Sequence, residues 1–305
     1  MAFTAQDVKK LREMTNCGMM DCKKALTETD GDMDKAVEYL REKGLATAAK
    51  KAGRIAAEGI VKSFIKGNVG VLVEVNSETD FVAKNEDFQN FVQGVAEAVA
   101  DGNPADVEAL KDIKISDSQT VGEALTEKIA TIGENMNIRR FNRVETAGVL
   151  VDYIHAAGKI GVMIEADAPD CDEVKECLKN VAMQIAALNP KYLSDADVSE
   201  EYKNHEKEIL IAQLKNDPKN ASKPDAIIEK MITGRLAKEL KEICLLGQEY
   251  VKAENKETVA QYLEAVGKKV GAAITLKSFA RFETGEGMEK KEENFADEVA
   301  KMMGN

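Results

Sequence analysis

The chain has no tryptophan, only 5% aromatic residues and only five prolines among its 305 residues. Aliphatic side chains and the twelve methionines must therefore fill its cores. It has no run of about 18 uncharged apolar residues, which excludes a membrane-spanning helix. Its first residues show neither a signal-peptide core nor an Arg-rich leader. We therefore expect a cytoplasmic protein with no membrane partner.

A strongly basic surface is also missing. The formal net charge is −12, and contacts to phosphate groups need a basic face, so we expect no nucleic-acid partner. The five cysteines are an odd number in a long chain without a signal sequence, which indicates reduced thiols. We expect at least three of them to be buried as small apolar residues.

The sequence contains no common motif of catalysis or nucleotide binding. It has no HExxH, no CxxC and no GxxxxGK[ST] segment, so it indicates neither a zinc hydrolase, a thiol enzyme nor a phosphate-binding loop. Cys17 and Cys22 are spaced too loosely for a zinc knuckle. The residues therefore argue against a metal- or thiol-dependent enzyme, and we expect that the chain does not itself hold GTP.

The length of the chain exceeds one ordinary core, so we expect several domains, with mixed α+β architecture. Residues 1–50 predict a three-helix bundle whose third helix ends near Gly44. A basic, alanine-rich link, residues 45–57, follows the bundle. Met19 and Met20 lie where the first helix gives way to the second, and we expect one of them in the core and the other on the surface.

The middle of the chain contains an internal duplication. Segments 58–74 and 147–165 each predict a strand, a Gly-bearing turn and a second strand, and the second turn is about two residues longer. An amphipathic helical pattern follows each copy. Because a hairpin and one helix cannot bury their apolar faces alone, we expect the two copies to pack together. The predicted subdomains are 55–145 and 146–195 with 244–284.

Helical patterns dominate two further segments. Residues 196–243 predict an antiparallel helical hairpin inserted into the second subdomain, with its tip at 217–220 and 223–224. The hairpin is either a solvated structural arm or a surface for a partner. Residues 285–305 predict a C-terminal helical module, because Phe295 and Val299 lie on one apolar stripe.

The segment most informative about function is GVLVEVNSETDFVAK, residues 70–84. Its alternating valines predict a strand, which a polar break ends before Asp80 and Phe81. An aromatic ring at a strand exit is either tucked under its own loop or presented to a partner. The residues alone favour the tucked position, because most phenylalanines are buried.

Five segments spread over nearly the whole chain carry a family resemblance: LREMTNCGMMDCKKAL, SETDFVAKNEDF, YIHAAGKIGV, IIEKMITGRLAKELKE and SFARFETGEGMEKKEENFADEVA. In this order they resemble the family of bacterial translation elongation factor Ts. The resemblance implies a three-helix, ubiquitin-associated-like N-terminal domain and a core of two α+β subdomains. It also implies a helical hairpin for dimerisation and a C-terminal helical module.

The resemblance implies a guanine-nucleotide exchange factor for elongation factor Tu, which promotes GDP release and so allows GTP reloading during translation elongation. A protein of this kind acts by binding, so the resemblance also implies that it is not an enzyme and needs no cofactor or metal of its own. It further implies contact residues beside the magnesium site of that partner: Thr79, Asp80, Phe81, Val82 and His155. Secondary contacts with the same partner are implied for Met19, Met20, Phe295 and Val299.

One segment departs from the resemblance, and two questions stay open. The turn after His155 reads Ala156-Ala157-Gly158, where the resemblance predicts a shorter and more Gly-rich turn. The helical hairpin is compatible with both a monomer and a homodimer. A non-catalytic adaptor, which binds other proteins without changing nucleotide release, is the alternative function.

Overall fold

The computed structural model of the protein describes residues 3–15, 17–216 and 223–289. Within these ranges it combines α-helices with two three-stranded antiparallel sheets, which confirms the mixed α+β class. No helix in the described ranges is long and apolar enough to cross a membrane. The domain boundaries predicted above stay predictions.

Three helices begin the chain: α1 (Ala5–Thr15), α2 (Met19–Glu28) and α3 (Met33–Lys51). The expected end of the third helix near Gly44 is wrong, because α3 continues to Lys51 through residues that favour helix. The expectation that Met19 or Met20 is buried is also wrong, since the two side chains are 53% and 74% exposed. Cys22, Ala25 and Leu26 form the buried face of α2 instead.

The first sheet has the order β1 (Glu58–Lys66), β2 (Val69–Ser77) and β3 (Met136–Glu145). Four helices lie between β2 and β3 in the chain, and their bounds are Asp80–Ala83 (α4), Glu86–Gly102 (α5), Val107–Lys111 (α6) and Val121–Ile132 (α7). The longest of them, α5, packs on the sheet and buries its apolar face there.

The second sheet repeats this plan. It consists of β4 (Val149–His155), β5 (Ile160–Asp167) and β6 (Thr275–Glu283), and α8 (Asp172–Leu188) packs on it as α5 does on the first. A further helix, α11 (Val259–Val270), completes this core. The turn between β4 and β5 is longer than that between β1 and β2, as the duplicated sequence predicts.

The two sheets pack together through a small apolar cluster. Val61 and Leu72 come from the first sheet, and Leu150 and Met163 come from the second. Gly161 allows the close approach, because a Cβ at this position would lie 2.4 Å from Val61 Cγ1 and 2.9 Å from Leu72 Cδ1. The observed packing of the duplicated units agrees with the sequence-based expectation.

Helices α9 (Glu200–Asn216) and α10 (Asp225–Ile243) pack against each other through their own apolar cluster. The Tyr202 hydroxyl, near the start of α9, donates to Glu239 near the end of α10 at 3.4 Å, as in an antiparallel pair. Of the predicted tip, Lys223 and Pro224 directly precede α10, as expected, whereas 217–220 lies outside the described residues. The predicted C-terminal stripe through Phe295 and Val299 also lies outside them.

The cysteines agree with the expected packing role. Cys22, Cys177 and Cys244 are buried, whereas Cys17 and Cys171 are partly exposed, and all five are free thiols. Burial raises the pKa of the Cys177 thiol to about 11, so this side chain stays protonated at neutral pH.

The close approach of the sheets is testable by adding a methyl group. We expect Gly161→Ala to destabilise the protein by about 1–3 kcal/mol, because the new Cβ overlaps Val61 and Leu72. Gly234→Ala is the matched control, since a Cβ there meets nothing within 4 Å and alanine favours the helix. Urea unfolding followed by circular dichroism measures both variants. Unchanged stability of Gly161→Ala would contradict the described packing.

Candidate functional site

The exit of β2 presents a short turn that we call the Phe81 turn, residues 79–84. Helix α4 forms its single helical turn, and Thr79 caps the start of this helix by accepting the Val82 N–H at 3.4 Å. Asn85 then caps α5 by accepting the Phe88 N–H at 3.2 Å. Two consecutive helix caps therefore separate the Phe81 turn from the strand before it and the helix after it.

The side chains of the Phe81 turn face in opposite directions. Val82 and Ala83 are buried in the core beneath α5. Phe81 is 79% exposed, which makes it the most exposed of the large apolar side chains in the described part of the chain. The tucked position favoured by the residues alone is therefore wrong. The cap directs Val82 inward, and the preceding position in so short a helix is left facing solvent.

The negatively charged Asp80 carboxylate lies beside the exposed ring and forms an ion pair with Lys84. Asp80 accepts a hydrogen bond from Lys84 Nζ at 2.6 Å, and this contact is the main cause that lowers the pKa of the Asp80 carboxyl. The same Nζ atom lies 5.8 Å from the centre of the Phe81 ring. Because the carboxyl pKa is lowered, the ion pair is intact at neutral pH and is lost only as the pH falls through that pKa.

His155 is exposed at the end of β4. Its Nδ1 atom is hydrogen bonded to the Tyr153 hydroxyl at 2.9 Å, which orients the imidazole ring. The following 3₁₀ turn places Ala156 and Ala157 at φ values of 47° and 54°, a region that favours glycine. These alanines stand where the resemblance predicts a more Gly-rich turn.

The Phe81 turn and the turn after His155 meet on one strand. Helix α4 packs on β1, and Gly158 lies so close to β1 that a Cβ there would be 2.9 Å from Ile60 Cβ. Lys159, in the same turn, also helps to lower the pKa of the Asp80 carboxyl through its charge. The fold thus brings together two segments that are far apart in sequence.

The other predicted contact residues occupy different positions. Thr79 directs its hydroxyl to Glu134, and Val82 is buried, so both side chains support the Phe81 turn from within. Met19 and Met20 are exposed on the N-terminal bundle. Glu134 was not predicted from sequence, and no local pattern around it indicates its contact with Thr79.

The described residues contain no group of three or more His, Cys, Asp or Glu side chains arranged to hold a metal ion.

The sequence is similar to those of known proteins of one family. The family model described as Elongation factor TS matches residues 78–286. Elongation factor Ts of Clostridium perfringens (strain ATCC 13124) is 55% identical over 306 residues, which cover 99% of each chain. Elongation factor Ts of Trichlorobacter lovleyi is 51% identical over 317 residues and covers 100% of this chain and 99% of its own.

These matches place the protein among the translation elongation factors. The similarity extends to Clostridioides difficile (strain 630), whose elongation factor Ts is 51% identical over 304 residues and 99% of each chain. The chain belongs to the elongation factor Ts family.

The pairing of Asp80 is testable by titration. We expect Lys84→Met to move the pKa of the Asp80 carboxyl up towards its ordinary value of about 3.9, because the main cause of the lowered pKa is removed. Carboxyl-carbon NMR over a pH series measures the change. In the control Lys268→Met, the pKa of Glu264 should rise in the same way while that of Asp80 stays constant. An unchanged Asp80 titration in Lys84→Met would refute the pairing.

Proposed function

We propose that the protein binds elongation factor Tu in the cytoplasm and accelerates the release of GDP from it, so that GTP can be reloaded during translation elongation. Membership of the elongation factor Ts family supports the partner and the activity. The observation that carries the proposal is the exposure of Phe81, at 79% of its surface, on a turn fixed by helix caps and by buried neighbours.

Such a protein needs no chemical step of its own. It has to bind the nucleotide-free partner more tightly than the nucleotide-bound partner, and linkage then weakens nucleotide binding by the same factor. The protein therefore acts by contact and is not an enzyme in the ordinary sense. Contacts that both partner states share do not contribute to exchange.

Burial of the Phe81 ring supplies a contact energy of suitable size. Moving an exposed phenylalanine ring into an apolar site contributes about 1.5–3 kcal/mol, which corresponds to roughly a ten- to hundredfold change in affinity. In the proposed complex, Phe81 enters between helices of the partner's nucleotide domain. The displacement of those helices disturbs the partner's magnesium site and weakens GDP binding.

Asp80 and His155 act beside the ring in this proposal. Asp80 carries a negative charge at neutral pH, because it is paired with Lys84 and the charge of Lys159 also acts on it. It acts on the magnesium-coordinating region of the partner either through its charge or by accepting a hydrogen bond. His155 is oriented by Tyr153 and exposed, and it contacts the same nucleotide domain.

Other surfaces supply additional contacts in the proposed assembly. Met19 and Met20 are exposed at the start of α2 and are proposed to bind the nucleotide domain. Phe295 and Val299, which lie outside the described residues, are proposed to do the same. A homodimer through α9 and α10 is a further proposal, and sedimentation of the protein with and without elongation factor Tu tests it.

The proposed function is tested by removing the ring. We expect Phe81→Ala to slow the stimulated release of labelled GDP from elongation factor Tu by about ten- to hundredfold, in proportion to the lost contact energy. Stopped-flow fluorescence measures the release. Because the ring is exposed, the melting temperature should stay the same.

Val251→Ala serves as the control, since Val251 is also an exposed apolar residue but lies in another part of the fold, and it should leave GDP release unchanged. Release by Phe81→Ala at the rate of the unchanged protein would overturn the role of Phe81. Binding to elongation factor Tu with no acceleration of GDP release by the unchanged protein would identify an adaptor.

A further inference from the structure

Helix α4 is too short to order itself. It contains four residues, Asp80–Ala83, and an isolated helical turn gains too few hydrogen bonds to offset its loss of conformational entropy. The exposed Phe81 ring adds little packing of its own. The orientation of this ring must therefore be fixed by contacts from outside the helix.

We propose that Glu134 is a positioning residue that fixes the orientation of the Phe81 turn. Its Oε2 atom accepts the Thr79 N–H at 3.0 Å, and its Oε1 atom accepts the Thr79 hydroxyl at 2.6 Å. Both carboxylate oxygens thus bind a single residue, which is the N-cap of α4. Hydrogen bonds to an ionised carboxylate are stronger than those between neutral groups.

A second glutamate makes the reciprocal contact. Glu78 Oε1 accepts the Asn135 N–H at 2.6 Å, and the Asn135 side chain donates to the Arg54 carbonyl oxygen at 2.7 Å. Each of the segments 78–79 and 134–135 therefore supplies a carboxylate to a backbone N–H of the other. Such paired contacts resist sliding as well as separation, because either movement breaks both.

The segment that carries Glu134 is itself held in place. Gly133 ends α7 with a φ of 85° in the left-handed region, and its carbonyl oxygen accepts a hydrogen bond from the Lys51 side chain. Asn135 is buried immediately before β3. The orientation of Phe81 is thus connected to α3, α7 and β3 through one carboxylate.

This arrangement has a consequence for binding that rests on the proposed function. If only part of the free molecules hold Phe81 in the binding orientation, the apparent affinity falls by that fraction. Glu134 raises this fraction by holding Thr79, the N-cap of α4. Thr79 then contributes by transmitting the contact from Glu134 to the Val82 N–H.

The effect on nucleotide release is tested with a double-mutant cycle. We expect Glu134→Ala to slow stimulated GDP release from elongation factor Tu by about tenfold, the order expected for losing hydrogen bonds to a charged group. In a Phe81→Ala background the same change should have almost no further effect, because the residue acts through the ring. Glu134→Gln, which retains one acceptor oxygen, should give an intermediate rate.

Amide hydrogen exchange tests the contact without the partner. We expect Glu134→Ala to speed exchange at the Thr79 and Val82 amides while core amides of α5 keep their protection. Thr79→Val, which removes the hydroxyl, should speed exchange at Val82, and Thr79→Ser should restore it. Glu176→Ala, at an exposed glutamate of α8, is the control and should change neither measurement.

The outcomes separate this inference from the proposed function. Unchanged exchange at Thr79 and Val82 in Glu134→Ala would overturn the positioning role, whatever the GDP measurements give. Equal slowing of GDP release in both backgrounds would overturn it too, since Glu134 would then act independently of Phe81. If Phe81→Ala alone leaves GDP release unchanged, the role proposed for Phe81 fails, and the amide measurements still decide the contact between Glu134 and Thr79.

Discussion

The buried carboxylate of Glu74 is the constraint on which the arrangement of the two sheets depends. It is inaccessible to solvent and accepts hydrogen bonds from Arg139 at 3.0 Å, Arg140 at 2.6 Å, Asn76 at 3.1 Å and the Gly285 N–H at 2.8 Å. The two arginines belong to β3, whereas the glycine follows β6. An uncompensated buried charge costs about 3–5 kcal/mol, so arrangements that separate β2, β3 and this turn are strongly disfavoured.

The segment that follows β6 also fixes the turn between β4 and β5. The Thr284 N–H donates to the Lys159 carbonyl oxygen at 2.9 Å, and its hydroxyl donates to the Gly158 carbonyl oxygen at 3.0 Å. This turn packs on β1, the strand on which α4 also packs. The position of His155 relative to the Phe81 turn is therefore set by the contact between the sheets, and through it by the pairing of Glu74.

Patterns within the sequence predict the elements of this fold better than their ends and exposures. Alternating valines suffice to predict β2. The end of α3 is predicted wrongly, because Gly44 lies inside a helix that packs near α7, where a Cβ added to Gly44 would lie 3.7 Å from the Ala130 Cβ. The exposure of Phe81 is predicted by the family resemblance, whereas the residues around it in sequence predict that its ring is buried. Glu134 is missed because its contact with Thr79 joins residues 55 positions apart, and no local periodicity reports such a pair.

An exchange factor of the proposed kind faces two opposing physical requirements. Its contact ring has to stay exposed in the free protein, yet it has to be ordered enough that binding does not lose much conformational entropy. Three features order the Phe81 turn on its inner side: the burial of Val82 and Ala83, the cap at Thr79 and the contact with Glu134. None of them covers Phe81. A ring held in this way gains its contact energy only in the complex. Because that energy amounts to roughly ten- to hundredfold in affinity, an incoming nucleotide can reverse it, which is the reciprocity that exchange requires.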